Sequence, residues 1–197
     1  MTFSETPLLE NRYVRLEPLV ADHAAELNAA ASVGELWRTW YTSIPAPDAM
    51  AGEIERRLSL QHSGAMAPWA IVNAQSGRAV GMTTYMNIDE PNRRLEIGHT
   101  WLGKESHGTG INASAKLLLL TRAFEDLDCI AVEFRTHWHN HQSRAAIARL
   151  GAKQDGVLRN HQVLRDGSLR DTVVFSLIAS EWPAARNALE ARVQRAD

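Results

Sequence analysis

Cysteine is all but missing from this chain: Cys129 is the only one in 197 residues. One thiol excludes a disulfide framework within the chain. Its place in the apolar run Cys129-Ile130-Ala131-Val132 reads as a buried, inert side chain in a reducing compartment. Long hydrophobic runs are lacking too. No apolar stretch approaches the roughly 18 residues of a membrane span, and the opening MTFSETPLLENRYVRL has no charged segment followed by an apolar core. A membrane partner is therefore not expected, and the cytoplasm is the expected location. Positive charge is not in excess either. The 21 Lys and Arg stand against 23 Asp and Glu, a formal net charge of −2, which leaves no basic field to hold a phosphate backbone; nucleic acid is not an expected partner. Pro, Ser and Gly collect into no linker, and no segment repeats, so one domain over 1–197 is the expected organisation.

What the chain does have is a hydrophobic period that changes along its length. Val14 and Leu16 alternate with Arg15 and Glu17, which predicts a half-buried strand near 12–17. The Ala-rich run Ala21 to Ala31 and the stretch Asp48 to His62, stopping near Gly64, predict two helices. Trp69 to Asn73, Ala79 to Ile88 and Leu95 to Leu102, separated by Gln75-Ser76-Gly77 and Glu90-Pro91-Asn92, predict an antiparallel meander. Ile111, Ala115, Leu118 and Leu119 then recur at helical spacing through Phe124. Ile130, Val132 and Phe134 return to a strand period, and Asn140 is placed to cap a helix that runs to Leu150 and stops at Gly151. Asp166-Gly167, between Val157–Arg165 and Arg170–Ile178, predicts a closing hairpin, followed by a helix over 181–195. The alternation of elements predicts an α/β or α+β fold with a mixed sheet.

The segment with chemical content joins the third meander strand to the next helix: Glu96-Ile-Gly-His-Thr-Trp-Leu-Gly-Lys-Glu-Ser-His-Gly-Thr-Gly-Ile-Asn-Ala-Ser-Ala-Lys116. A helix amino terminus carries free backbone N–H groups and partial positive charge. Gly108 and Gly110 would let a diphosphate approach them without Cβ clashes. Gly108 to Ala113 also fits Gly-x-Gly-x-x-Ala, the dinucleotide fingerprint. That motif turns directly out of its strand and wants an acidic residue closing the next one, whereas here Gly103 to His107 intervene and the next strand runs into Arg135-Thr136-His137. A plain tight turn uses the same glycines. His137, His139 and His141 alternate, but no carboxylate or thiolate completes a metal set within the run, so no metal is expected; the alternative is a polar lining for a site mouth.

The glycine loop resembles the coenzyme A diphosphate loop of GNAT acetyltransferases, written Gln/Arg-x-x-Gly-x-Gly/Ala. His107 stands at the Gln/Arg place, Gly110 at the central glycine and Asn112 at the last small position. Gly-Thr-Gly-Ile-Asn before a Leu-rich helix is more similar to the RimJ/RimL branch of that family than to the general motif. The likeness takes in the strand Arg12 to Glu17, Glu96-Ile-Gly with Trp101, Asn140-x-x-Ser143 through Leu150-Gly151-Ala152, Arg159 and the Asp166-Gly167 hairpin, over a core of roughly 10–182.

The resemblance implies a mixed, mostly antiparallel sheet flanked by helices and splayed between its fourth strand (ending at Leu102) and fifth strand (from Ile130). It implies acetyl-CoA as co-substrate and transfer to a primary amine on a peptide or small molecule, with homodimers common among relatives. In that frame Thr100, Trp101 and Leu102 offer backbone groups to the pantetheine arm, and His107, Gly108, Thr109, Gly110, Ile111 and Asn112 meet the diphosphate. Asn140 and Ser143 face the pantetheine, Asn140 being equally placed as a simple helix cap. Glu96 is a candidate base, with an ion pair to Arg93 or Arg94 as the alternative. Many GNAT enzymes protonate the departing thiolate with a tyrosine; its place here holds Ile147, which turns attention to the Ser143 hydroxyl. Trp37, Trp40 and Tyr41 fall where relatives cover the acceptor, or form an ordinary aromatic core. A non-catalytic acyl-CoA-binding module on the same fold is the competing function.

Overall fold

The computed structural model describes residues 2–195. Its elements in chain order are β1 (Leu9–Glu10), β2 (Val14–Pro18), α1 (Ala24–Ser32), α2 (Met50–His62), β3 (Met66–Asn73), β4 (Ala79–Asp89), β5 (Arg94–Leu102), α3 (Ile111–Thr121), β6 (Ala131–His137), α4 (His141–Ala148), β7 (Lys153–Val163), β8 (Leu169–Ile178) and α5 (Trp182–Gln194). The strands make one sheet in the order β1-β2-β3-β4-β5-β6-β8-β7, antiparallel except at β5 and β6. The predicted mixed sheet is therefore present, and its fourth and fifth predicted strands are β5 and β6 because the short β1 adds one.

Boundaries differ where tertiary pairing outweighs local pattern. β3 starts at Met66 rather than Trp69, because β4 is long enough to pair with it from Met66↔Met86 onward. Regular α3 ends at Thr121, and the predicted continuation through Phe124 is a π-turn over Arg122–Asp126. Ile130 stands just outside β6, its N–H bonded to the Arg93 carbonyl. α4 ends at Ala148, two residues short of Leu150, with Arg149 as its carboxy-terminal cap.

Helices cover both faces. Val14 and Leu16 of β2, Trp69 and Ile71 of β3, and Leu95 and Ile97 of β5 point to the face covered by α3, α4 and α5. On the other face Ala70, Val72, Met82 and Trp101 meet Leu27 and Ala31 of α1 and Met50 and Ile54 of α2. Leu119 is fully buried, and the Tyr85 hydroxyl donates to its carbonyl at 2.5 Å, tying α3 to the sheet centre.

Two irregularities shape the middle of the sheet. The parallel pairing of β5 with β6 extends only over Arg94↔Ala131, Leu95↔Val132 and Glu96↔Glu133; beyond Glu96 the strands part. β5 also carries an extra residue: Gly98 faces Thr84 and Trp101 faces Met82, so His99 and Thr100 together oppose Thr83, with His99 at φ 45°. This bulge is held from both faces. From α2 the buried Arg57 donates to the His99 carbonyl at 3.3 Å, and from α3 Lys116 Nζ donates to Thr100 Oγ1 at 2.8 Å.

Gly81 fixes the register next to the bulge, since a Cβ there would fall on the Trp101 carbonyl oxygen and crowd Leu102. The carbonyl oxygen and the Leu102 Cα are backbone atoms and cannot move aside without shifting the strand. Gly81→Ala is expected to lower the unfolding free energy by about 1–3 kcal/mol, measured by urea denaturation; an unchanged midpoint would show that β4 and β5 separate there more easily than this packing allows.

Candidate active site

The gap between β5 and β6 opens into a cavity of about 980 Å³ that reaches from the amino end of α3 to the segment before α2. At one end, Gly108 and Gly110 adopt φ of 79° and 82°, and Gly110 is the amino cap of α3 with no side chain closing it. The first-turn amides of α3 are thus turned outward without a cap. His107, Gly108, Gly110 and Asn112 line the cavity here, while the side chains of Thr109 and Ile111 do not. Thr109 Oγ1 donates back to the Ser106 carbonyl at 2.8 Å, and Ile111 is buried in the core, so these two can contribute only backbone N–H groups. His107 Nε2 sits 3.0 Å from the Leu102 carbonyl, which only accepts; the ring braces the loop against the end of β5.

In the middle of the cavity the β6-facing edge of β5 is free past Glu96, through Thr100, Trp101 and Leu102. The Trp101 ring is packed toward α1 and α2, so its offering to the gap is backbone. Across the gap, Asn140 Oδ1 accepts from the Ser143 N–H at 2.9 Å, confirming the cap; its amide nitrogen is left over, and both residues line the cavity. The Ser143 hydroxyl makes no hydrogen bond within the described chain. Ile147 is buried, apolar and also on the cavity wall.

Glu96 stands where the strands diverge and is 5% exposed. The expected alternative partners are otherwise engaged: Arg93 pairs with Asp128, and Arg94 with Glu133 at 2.9 Å. Glu96 Oε2 instead accepts from Asn87 Nδ2 at 2.7 Å and lies 3.5 Å from Arg135 Nε. Asn87 reaches it because β4 has its own irregularity, with Asn87 at φ 47°. Burial raises the Glu96 pKa above the usual carboxylate range, and Asn87 and Arg135 oppose that rise only in part.

Beyond Glu96 the cavity ends at Tyr41 and His137. Trp37, Trp40 and Tyr41 do not form a core. Trp40 is 54% exposed and meets His137 edge-on at 5.0 Å and His139 at 5.8 Å. The three alternating histidines diverge: His137 is buried, while His139 and His141 are exposed. His137 Nδ1 accepts from the His139 N–H at 3.0 Å, which in the neutral ring puts the proton on Nε2, a buried atom with no partner. Burial, with Arg170 adding, lowers the His137 pKa and favours that neutral ring. Among the described residues no three His, Cys, Asp or Glu are grouped to hold a metal ion. The Cys129 thiol is buried and away from this cavity, pushed up to about 12 by burial and by Asp128.

A family model described as "Acetyltransferase (GNAT) domain" matches residues 14–153. The chain belongs to the GNAT acetyltransferase family. It is 37% identical over 106 residues to "Putative ribosomal N-acetyltransferase YdaF" of Bacillus subtilis (strain 168), a stretch of 54% of this chain and 57% of YdaF. The chain spans about three fifths of the length of the curated relatives it matches. A crystal structure of a GCN5-related N-acetyltransferase from Brucella melitensis superposes with a TM-score of 0.86 at 34% identity, covering 96% of this chain and 86% of that one. Mycobacterium smegmatis RimJ, solved in complex with CoA-disulfide, shares the fold with a TM-score of 0.78 at 23% identity, covering 98% of this chain and 97% of that one.

Within this GNAT fold the loop from Gly103 to His107, with its 3-10 turn at Lys104–Ser106, separates β5 from α3 and explains why the dinucleotide fingerprint does not apply: the glycines do not leave the strand directly, and the sheet is largely antiparallel. Lys116 is the site residue that sequence reasoning passed over. It lines the cavity, is 6% exposed and has two hydroxyls for partners, Thr100 Oγ1 at 2.8 Å and Thr83 Oγ1 at 3.4 Å, but no carboxylate. The available signal was its spacing, four residues before the buried Leu120 on the helix face that packs on the sheet.

Burial brings the Lys116 pKa down to about 7. A lysine whose folded pKa lies below its unfolded value costs stability most at low pH, and the cost fades as pH rises toward the unfolded pKa. Thr83 and Thr100 hydrogen-bond each other at 2.8 Å and do not need the amine. Lys116→Met is therefore expected to stabilise the protein, with a gain about 2–3 kcal/mol larger at pH 6 than at pH 9. Denaturant titrations at the two pH values check this; a gain independent of pH would mean the amine is not titrating in the fold.

Proposed function

We propose that this chain moves an acetyl group from acetyl-CoA to a primary amine, by direct attack of the amine while both substrates are bound. The observation that carries the reading is that one cavity joins the bare amino end of α3, the unpaired edge between β5 and β6, and the buried carboxylate of Glu96. An uncapped helix start suits a diphosphate. An unpaired strand edge suits the amides of a pantetheine arm, which complete the ladder the diverging strands leave open.

In this reading Glu96 takes the proton of the attacking amine, directly or through water, and the burial that raises its pKa makes it the stronger base. With Ile147 at the place of the missing tyrosine, the free hydroxyl of Ser143 donates to the departing thiolate. The acceptor is an α-amine of a peptide or small molecule. Stripping its proton at pH 7 costs about 1 kcal/mol, against about 4.6 kcal/mol for a lysine side chain, and one partly screened carboxylate favours the easier substrate. The name of YdaF, "Putative ribosomal N-acetyltransferase", agrees with a peptide amino terminus.

Thiol release from acetyl-CoA across a panel of peptide α-amines tests the assignment. Glu96→Gln is expected to lower kcat by about 10–100-fold at pH 7 and by much less near pH 9.5, where the amine is already neutral. Ser143→Ala is expected to lower kcat by about tenfold or more with unchanged acetyl-CoA affinity. Tight acetyl-CoA binding without turnover of any amine would instead make the chain an acyl-CoA-binding module.

A further inference from the structure

The Tyr41–His137 end of the cavity holds a positive charge that the reaction leaves unused. Strand register puts Glu96, Glu133, Arg135, His137, Thr172 and Arg170 on one face of the sheet: Glu96 stands opposite Glu133 across β5 and β6, His137 stands opposite Thr172 across β6 and β8, and the others follow at steps of two. The two acids of this face are already matched. Glu133 takes Arg94 at 2.9 Å and Arg135 at 3.0 Å, and Glu96 lies 3.5 Å from Arg135 Nε. Arg170 is the cation left over. It lines the cavity, and among the described residues it makes no ion pair: its Nε donates to Thr172 Oγ1 at 2.9 Å, while its two terminal nitrogens make no hydrogen bond. Because Thr172 is the register partner of His137, that bond folds the guanidinium back along β8 toward the His137 ring. Its charge acts there, helping to lower the His137 pKa.

His137 adds a second spare donor. The side chain is 3% exposed and lines the cavity, and with Nδ1 accepting from the His139 N–H at 3.0 Å the neutral ring carries its proton on Nε2, which has no partner. A buried N–H without an acceptor is costly, and a free guanidinium beside it calls for an anion that both can share. The spacing says where on an acceptor that anion sits. The Glu96 carboxylate reaches Arg135, and His137 is two residues farther along β6, about 7 Å at the rise of a strand. An extended peptide advances at the same rate, so one that offers its α-amine to Glu96 carries the side chain of its second residue toward His137 and Arg170. We propose that Arg170 and His137 form a specificity site that binds a carboxylate on the second residue of the acceptor peptide. The inference rests on the acetyl-transfer reading above and names a substrate class within it: peptide amino termini with Asp or Glu in second place. The planar fork of Arg170 takes the carboxylate oxygens in a pair, and His137 Nε2 donates from the side.

Initial rates with three peptides test it, alike except for Asp, Asn or Lys as the second residue. The wild type is expected to acetylate the Asp peptide with a kcat/KM roughly tenfold or more above that of the Asn peptide, with the Lys peptide slowest and most of the difference in KM. Arg170→Gln is expected to bring the Asp and Asn peptides to within about threefold of each other, and Arg170→Glu to reverse the order in favour of the Lys peptide. Equal kcat/KM for the three peptides in the wild type, or an Arg170→Gln that slows all three by the same factor, would overturn the site and leave acetyl transfer intact. So would a wild type that acetylates other amines and none of the three peptides. A wild type that acetylates no amine at all would overturn both readings.

Discussion

The whole site depends on a failure of pairing. β5 and β6 pair only from Arg94 to Glu96 and from Ala131 to Glu133, and the cavity opens where that pairing ends. Buried strand edges are costly because their amide and carbonyl groups lose water without gaining a partner. The fold keeps this edge open by curving β5 through a bulge at His99 and Thr100 and by gripping the bulge with Arg57 from one face and Lys116 from the other. Both gripping side chains are buried, and both come from helices that pack their apolar faces on the sheet. The stability invested in those helices holds an edge ready for a ligand.

That arrangement explains the positions of the remaining groups. Because β5 leaves β6 just after Glu96, its carboxylate sits at the apex of the wedge, buried enough for its pKa to be raised and still open to the cavity. The loop after β5 must span from the splayed strand to α3, which is why a 3-10 turn and two left-handed glycines precede the helix and why its first turn is bare. α4 follows the other arm of the wedge and brings Asn140 and Ser143 to face that opening. One divergence in the sheet thus brings a bare helix start, an open strand edge, a buried carboxylate and a free hydroxyl onto the wall of a single cavity.

Much of this could be read from residues alone. Val14 and Leu16, the Ala79 to Ile88 and Leu95 to Leu102 strands, the Asn140 cap and the Asp166-Gly167 hairpin all declared themselves through local period and capping chemistry. The glycine turn at the start of α3 was legible as a turn, because Gly108 and Gly110 stand directly before the change to helical spacing. What could not be read were facts of juxtaposition. The partner of Glu96 is Asn87, nine residues back and aimed by its own positive φ, with Arg135 from the neighbouring strand. The exposed Trp40 packs on His137 across the chain, where an aromatic cluster in sequence reads equally well as core. Nothing local in the sequence marks Lys116, and only the sheet beneath it reveals a buried amine tied to two threonines.

The central claim is that acetyl-CoA completes the ladder that β5 and β6 leave open while its diphosphate caps α3. Amide hydrogen exchange read residue by residue tests it most directly, since both sets of N–H groups are named. On adding acetyl-CoA, protection is expected to rise together at residues 97–102 of β5 and at residues 108–113 of the cradle, with little change in the β7–β8 hairpin. Saturating binding that protects the cradle but leaves 97–102 exchanging as before would contradict the account, because the strand edge would then not be where the pantetheine arm lies.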